Sequence, residues 1–276
     1  MAALATIACD DSDSKVFYPA PAVGRGLQGI EKNEPAGEED VAETPKLTPE
    51  EMAEAALAEL RSAGGDHEAV HQSMQENFVR ADQLQKAVIA GDLKEARETA
   101  RWIASHSVTG GLPPGWIAHV TAMRRAAQAV ADSRDIEAAA RSTAFVAGAC
   151  GSCHLTQLGG AQIGGEPMPM GEEGLELSMR RHQWAADRLW DAVVSGEGGR
   201  WDEGVAVLAE SELVRGDFGA KPAQRQRVEG LLRRFRGIVK RAQGAVAPDV
   251  RVQVLGEFLG SCSGCHRLLR RGPAAW

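Results

Sequence analysis

Two pentapeptides, Cys150-Gly151-Ser152-Cys153-His154 and Cys262-Ser263-Gly264-Cys265-His266, constrain this 276-residue chain more than any other feature. Both have the form Cys-x-x-Cys-His, the attachment pattern of c-type haem. On a helix the two cysteines, three residues apart, lie on nearly one face, where they can form thioethers to the two vinyl groups of a porphyrin. The histidine, four residues after the first cysteine, rises on that same face to give the iron its proximal nitrogen. Two other chemistries use paired cysteines. A zinc site built from both pairs would leave the adjacent histidines unexplained, and a redox dithiol would not need them. The expected cofactor is therefore haem c in two covalent copies, with Cys150, Cys153, Cys262 and Cys265 as anchors and His154 and His266 on the irons.

The motifs belong to a longer repeat. Met74, Ala81, Asp82, Leu84, Ala87, Val88 and Gly91 recur 105 positions on as Met179, Ala186, Asp187, Leu189, Ala192, Val193 and Gly196, while the haem cysteines recur 112 positions on. The chain is a tandem duplication whose second copy carries about seven extra residues between these anchors. In the first copy Val70, Met74, Asn77, Ala81, Leu84 and Val88 follow a 4-3-4-3-4 rhythm, and Leu175, Met179, His182, Ala186, Leu189 and Val193 repeat it. That rhythm is the seam of a helix bundle. Glycine, proline and cap residues divide the first copy into helices near 66–90, 92–106, 115–132 and 134–158, with Asp132-Ser133 as the cap before the last. They divide the second into helices near 172–195, 200–215, 222–244 and 248–270. Only 5% of the residues are aromatic, against 43% hydrophobic overall, which argues against a β-rich fold. The predicted fold is all-α: two tandem four-helix bundles, at 66–158 and 172–276.

Four helices with Cys-x-x-Cys-His in the last resemble the class II cytochromes c, cytochrome c′ and its low-spin relatives, here in tandem dihaem form. The resemblance implies one haem c per bundle, whose bulk would stand in for missing aromatic side chains. It also bears on the sixth iron ligand. In the low-spin relatives a methionine of the first helix completes the iron, whereas in cytochrome c′ an apolar residue blocks that side. Met74 and Met179 occupy equivalent inward places, so the resemblance implies them as iron ligands. A methionine on an apolar face also serves as core filler. His182, three residues after Met179 where the first copy has Asn77, is an alternative ligand to Met179. His67, His71 and His119 read as surface or capping residues.

Haem attachment of this kind takes place outside the bacterial cytoplasm in c-type cytochromes, which implies a periplasmic or otherwise extracytoplasmic protein. Leu4-Ala5-Thr6-Ile7-Ala8-Cys9-Asp10 looks like the end of a lipoprotein signal, with residues 1–9 as its remnant and Cys9 as the lipidated residue, although Thr6 stands where Leu is preferred. The alternative is a chance cysteine. Residues 10–48 are rich in Asp, Glu, Pro and Gly and read as a disordered acidic tether; about 40 residues of coil span roughly 35 Å. Residues 49–65 hold a short helix capped by Thr48, with Pro49 at its first position and Glu50 and Glu51 in its first turn. The Gly-rich stretch 159–171 reads as a linker, and its Met168 and Met170 as linker residues rather than ligands to the first haem.

The net charge of −7 is uneven: residues 1–65 carry 13 acids and 5 bases, and residues 172–276 carry 14 and 17. No basic surface of the kind nucleic acid requires is indicated. Arg233, Arg234, Arg236, Lys240 and Arg241, with Arg267, Arg270 and Arg271, form a solvated face, or else hold haem propionates or an acidic partner. Together these features predict a lipid-anchored dihaem cytochrome that carries electrons between periplasmic or membrane-bound redox partner proteins, alone, as a homo-oligomer or within a larger complex. Binding of nitric oxide or carbon monoxide at a five-coordinate haem is the first alternative. Dihaem peroxidase activity is the second, although spacing reveals no acid/base pair for it, so an electron carrier rather than an enzyme is expected.

Overall fold

The computed structural model describes residues 48–106, 110–157, 163–211, 213, 218 and 220–270. The expected signal remnant, Cys9 as the expected lipidation site, the expected tether up to Lys46-Leu47, the start of the linker and Arg271 lie outside the described residues. Those described are all-helical: α1 (Pro49–Ser62), α2 (His67–Ala90), α3 (Leu93–His106), α4 (Pro114–Ala131), α5 (Ile136–Gln157), α6 (Leu175–Ser195), α7 (Gly198–Glu210), α8 (Arg225–Gln243) and α9 (Pro248–Leu269). None of these helices is long and apolar enough to cross a membrane.

Local chemistry sets the boundaries. Thr48 and Glu51 close a reciprocal capping box on α1, Asp66 caps α2, and Asp92 accepts from the Glu95 amide at the start of α3. Helices α2 and α6 each end at a left-handed glycine, Gly91 at φ +79° and Gly196 at φ +84°. At both a Cβ is doubly excluded: by that backbone, and by a side chain of the other repeat, Arg267 over Gly91 and Leu155 over Gly196. The sequence misplaces two boundaries. Asp132 closes α4, while Asp135 caps α5 by accepting from the Ala138 amide. Helix α7 stops at Glu210, because Ser211 turns to extended backbone at ψ 107°, and a single 3-10 turn over Pro222–Gln224 precedes α8.

Within each repeat the first helix packs on the second, the second on the third and the third on the fourth, and the fourth returns to the first. The repeats are also joined. Helix α5 packs along α9 through small residues: Ala140, Ala144 and Gly148 on one side, Gly256 and Gly260 on the other. A Cβ on Gly148 would come 2.7 Å from Val252, and one on Gly256 3.0 Å from the Arg141 backbone. One apolar core runs through both repeats, from Leu84, Val88 and Ile103 through Ala144 and Ala147 to Trp190, Trp201, Leu255 and Phe258. All described residues fall in one compact unit. The sequence treats each repeat as a body with a core of its own; small side chains on α5 and α9 let the backbones approach so closely that the two cores merge.

Two smaller clusters flank this core. Ala56 and Leu60 of α1 meet Val70, Leu112 and Trp116, with Met74 against them. In the second repeat, where the described residues include no counterpart of α1, Leu213 and Phe218 meet Val228 and Leu232, with Leu175, Met179, Leu268 and Leu269 alongside.

Candidate functional site

The residues singled out by the motifs converge on two cavities. The first, of about 100 Å³, is lined by Cys150, Cys153 and His154 of α5, by Met74, Asn77 and Phe78 of α2, and by Trp116, His119 and Met123 of α4. The second, of about 250 Å³, is lined by Cys262, Cys265 and His266 of α9, by Met179, Arg180, His182 and Gln183 of α6, and by Phe235 of α8. Each motif thus faces the first helix of its own repeat across an apolar space. The helical period does this: residues 150, 153 and 154 share one stripe of α5, as residues 262, 265 and 266 share one of α9.

The histidines are held from the opposite repeat. His154 Nδ1 donates to the carbonyl of Val194 at 2.7 Å, and His266 Nδ1 donates to the carbonyl of Ile89 at 2.7 Å. Both acceptors lie in the last turn of a helix cut short by glycine, where carbonyls lack intrahelical donors. A carbonyl can only accept, so each Nδ1 carries the proton and each Nε2 keeps a lone pair. Metal-binding histidines are oriented by this kind of bond. Burial lowers the pKa of both imidazoles, and the carbonyl bond pulls it back only in part, so the neutral form is favoured. One residue after each first cysteine the repeats also touch: Ser263 Oγ donates to the Val88 carbonyl, and a Cβ on Gly151 would lie 1.9 Å from the Val193 carbonyl oxygen.

The four thiols are free. Burial pushes Cys150 and Cys262 up to about 12 and Cys153 up to about 11, and raises Cys265. Thiols so poorly ionised are the opposite of what a redox dithiol needs. The two pairs line different cavities, and among the described residues no three His, Cys, Asp or Glu side chains come together as a metal-binding group. A zinc centre drawing on both Cys-x-x-Cys elements does not assemble.

Among the described residues five buried side-chain polar atoms lack partners, and two of them line the cavities: Trp116 Nε1 in the first and His182 Nε2 in the second. Burial pushes His182 down to about 4, and its ring stacks on Phe235 with centroids 5.2 Å apart. At the matching place in the first repeat, Asn77 turns its amide back to the Ser73 carbonyl at 2.8 Å.

The remaining candidates sit elsewhere. His67 and His71 are exposed and stack on each other. His119, read from the sequence as a surface or capping residue, lines the first cavity while its ring pairs with Thr156. Met168 and Met170 are exposed and line neither cavity. Arg234 pairs with Glu137 and Arg241 with Glu257, Arg236 donates to the Leu213 carbonyl, and none of Arg233, Lys240, Arg267 or Arg270 lines a cavity either. Sequence reading missed Val194 and Ile89, which act through backbone carbonyls, and Met123, whose sulfur lies 3.9 Å from Cys150 Sγ. No protein-family model, curated protein or solved structure matches the chain.

Proposed function

We propose that the protein is a dihaem c-type cytochrome of two class II-like four-helix bundles that carries electrons between redox partner proteins. The carrying observation is that each cavity gathers both thiols and the histidine of one motif opposite the first-helix methionine of the same repeat. The lining fits a porphyrin on its donor chemistry: the two thiols and the neutral imidazole of one motif per cavity, a largely apolar wall, and one orphaned polar atom in each. The haem iron would supply the one-electron step by cycling between ferric and ferrous states. In this reading Cys150, Cys153, Cys262 and Cys265 anchor the two groups, His154 and His266 bind iron through Nε2, and Val194 and Ile89 fix the ring planes. Met74 completes the first site, and Met179 or His182 the second. The largely apolar walls would limit the access of water to the iron, which favours electron transfer over ligand exchange.

Export and a lipid anchor at Cys9, with the acidic stretch as tether, complete the proposal and rest on the motifs and the N-terminal sequence. Mass spectrometry of the denatured, exported protein tests the core of it. Two covalent haems are expected, falling to one in Cys150→Ala/Cys153→Ala and in Cys262→Ala/Cys265→Ala; none in the native chain ends the proposal. A second reading, carbon monoxide or nitric oxide binding at the first haem, is favoured by the Trp116 indole N–H, a donor for a small bound ligand. Rapid carbon monoxide uptake by one ferrous haem per native chain would select it.

A further inference from the structure

The second cavity contains a group that the repeat alone does not explain. His182 Nε2 is buried without a hydrogen-bond partner, although Gln183 lies beside it on the same wall. Gln183 gives its amide to Asp187 at 2.9 Å instead. A desolvated ring nitrogen with nothing in return is costly, and such a group calls for an unseen partner. The ring is held in place by stacking on Phe235, which in turn packs against Phe258 of α9. Burial keeps the imidazole neutral, with a lone pair to give.

Met179 is engaged differently. It packs into the cluster of Leu213, Phe218, Val228 and Leu232, together with Leu175, Leu268 and Leu269. A methionine filling an apolar gap among such neighbours needs no further role. Met179 also lines the second cavity, just as Met74 lines the first while packing against its own cluster; what sets the repeats apart is the orphaned imidazole, since at the place of His182 the first repeat has Asn77 with its amide turned to the Ser73 carbonyl.

We propose that His182, through Nε2, is the sixth iron ligand of the second haem, so that this site is held by two histidines and Met179 remains a packing residue. The proposal rests on the dihaem reading. Coordination uses the Nε2 lone pair and releases no proton, since the ring is already neutral. It makes the two haems chemically unlike despite their common descent: imidazole stabilises ferric iron better than thioether does, so the second haem is the lower-potential centre.

The test uses the full-length exported holoprotein, after a count of covalent haems on the same sample. Fewer than two haems overturns the dihaem reading, and the ligand assignment with it. With two haems present, ferric electron paramagnetic resonance is expected to show a low-spin signal of the two-imidazole type. In His182→Ala that signal is lost, one haem becomes high-spin and its ferrous form gains carbon monoxide binding. In Met179→Ala the signal is retained. His182→Met, which keeps the bulk should the alanine variant fold poorly, is expected to add a sulfur-to-iron charge-transfer band and shift one midpoint potential upward. Loss of the second haem's low-spin signal in Met179→Ala, or a second haem that is unaltered in His182→Ala and His182→Met, overturns the assignment while leaving the dihaem reading intact.

Discussion

His154 and Val194 belong to different repeats, yet the imidazole Nδ1 lies 2.7 Å from the Val194 carbonyl oxygen, and His266 and Ile89 repeat the relationship at 2.7 Å. Each repeat therefore finishes a helix end of the other. The acceptor carbonyls are available because Gly91 and Gly196 end α2 and α6 just beyond them, leaving the carbonyls of the last turn without intrahelical donors. Neither motif has its complete surroundings within its own repeat.

Joint unfolding follows from this exchange and from the merged core. A single transition is expected in denaturant, coincident by far-UV circular dichroism and by tryptophan fluorescence. Gly151→Ala should destabilise the whole unit by about 1–3 kcal/mol or more, since its Cβ would meet the Val193 backbone at 1.9 Å. Ser263→Ala should cost about 1 kcal/mol for the lost bond to the Val88 carbonyl. Two resolved transitions would show that the repeats fold independently after all.

Helix α1 backs the first cavity, packing through Ala56 and Leu60 on the lining residues Val70, Leu112 and Trp116, and has no equivalent among the described residues of the second repeat. Leu60 is 1% exposed and meets Trp116 and Val70. Leu60→Ala is expected to cost about 2–5 kcal/mol and to speed entry of small ligands at the first site only. Stopped-flow mixing with carbon monoxide, run beside a denaturant titration, reads both effects. Equal acceleration at the two sites would mean that α1 is not the barrier.

How far the sequence carries can be judged residue by residue. The helices were legible because their punctuation is chemical: Thr48 as a cap, Gly91 and Gly196 as stops, Pro49 and Pro248 at helix starts. Met74, Met179 and His182 could be placed on inward faces from the 3.6-residue period. The union of the repeats was not legible, because its agents carry no motif. Ala140, Ala144, Gly148, Gly256 and Gly260 read as ordinary helix interior, and only close approach of α5 and α9 gives them a role. Backbone acceptors leave no trace in side-chain identity, which hides Val194 and Ile89. Asp132 and Asp135 are equally good cap residues in sequence; the register of α5 decides between them.

At the first site the thioether of Met74 should be the sixth ligand. Met74→Ala is expected to abolish the sulfur-to-iron band of the ferric protein and to lower one midpoint, because the thioether that favours ferrous iron is lost while His154 and its bond to Val194 are untouched. If the native ferric protein has no such band, methionine ligation fails there and the gas-binding reading of the Trp116 cavity gains.

A pH effect is expected away from the two cavities, neither of which Asp191 lines. Burial pushes Asp191 up to about 6, only partly opposed by Arg200 at 3.6 Å and Arg188 at 4.0 Å. In the unfolded chain the group returns to about 3.9. Between these values the folded state holds a proton that the unfolded state has lost, so this contribution to stability is complete below pH 4 and disappears as pH rises through 6. The difference is bounded by roughly 3 kcal/mol. Urea midpoints at pH 4 and 7 should therefore fall more in the native protein than in Asp191→Asn, which cannot ionise. Parallel pH dependence in the two proteins would remove Asp191 as the cause.

The order of the two potentials can be argued from competing terms. Residues 172–276 carry three more bases than acids, which by charge alone would raise the potential of the haem at His266 above that at His154. The structure weakens that term. Arg234 is neutralised by Glu137 of the first repeat, Arg236 is spent on the Leu213 carbonyl, and of the bases in this segment Arg180 is the one that lines the second cavity. What remains is screened by solvent within about 10 Å at ordinary salt. The ligand term acts at the iron itself and in the opposite sense, since His182 would favour the ferric form. The second haem is therefore expected to titrate lower, so that an electron entering there passes downhill to the first. Redox titration of the native protein should resolve two steps, and the variants lacking one pair of haem cysteines assign them. If the His266 haem titrates higher, surface charge outweighs the ligand; if both titrate as one step, the chain has no preferred direction.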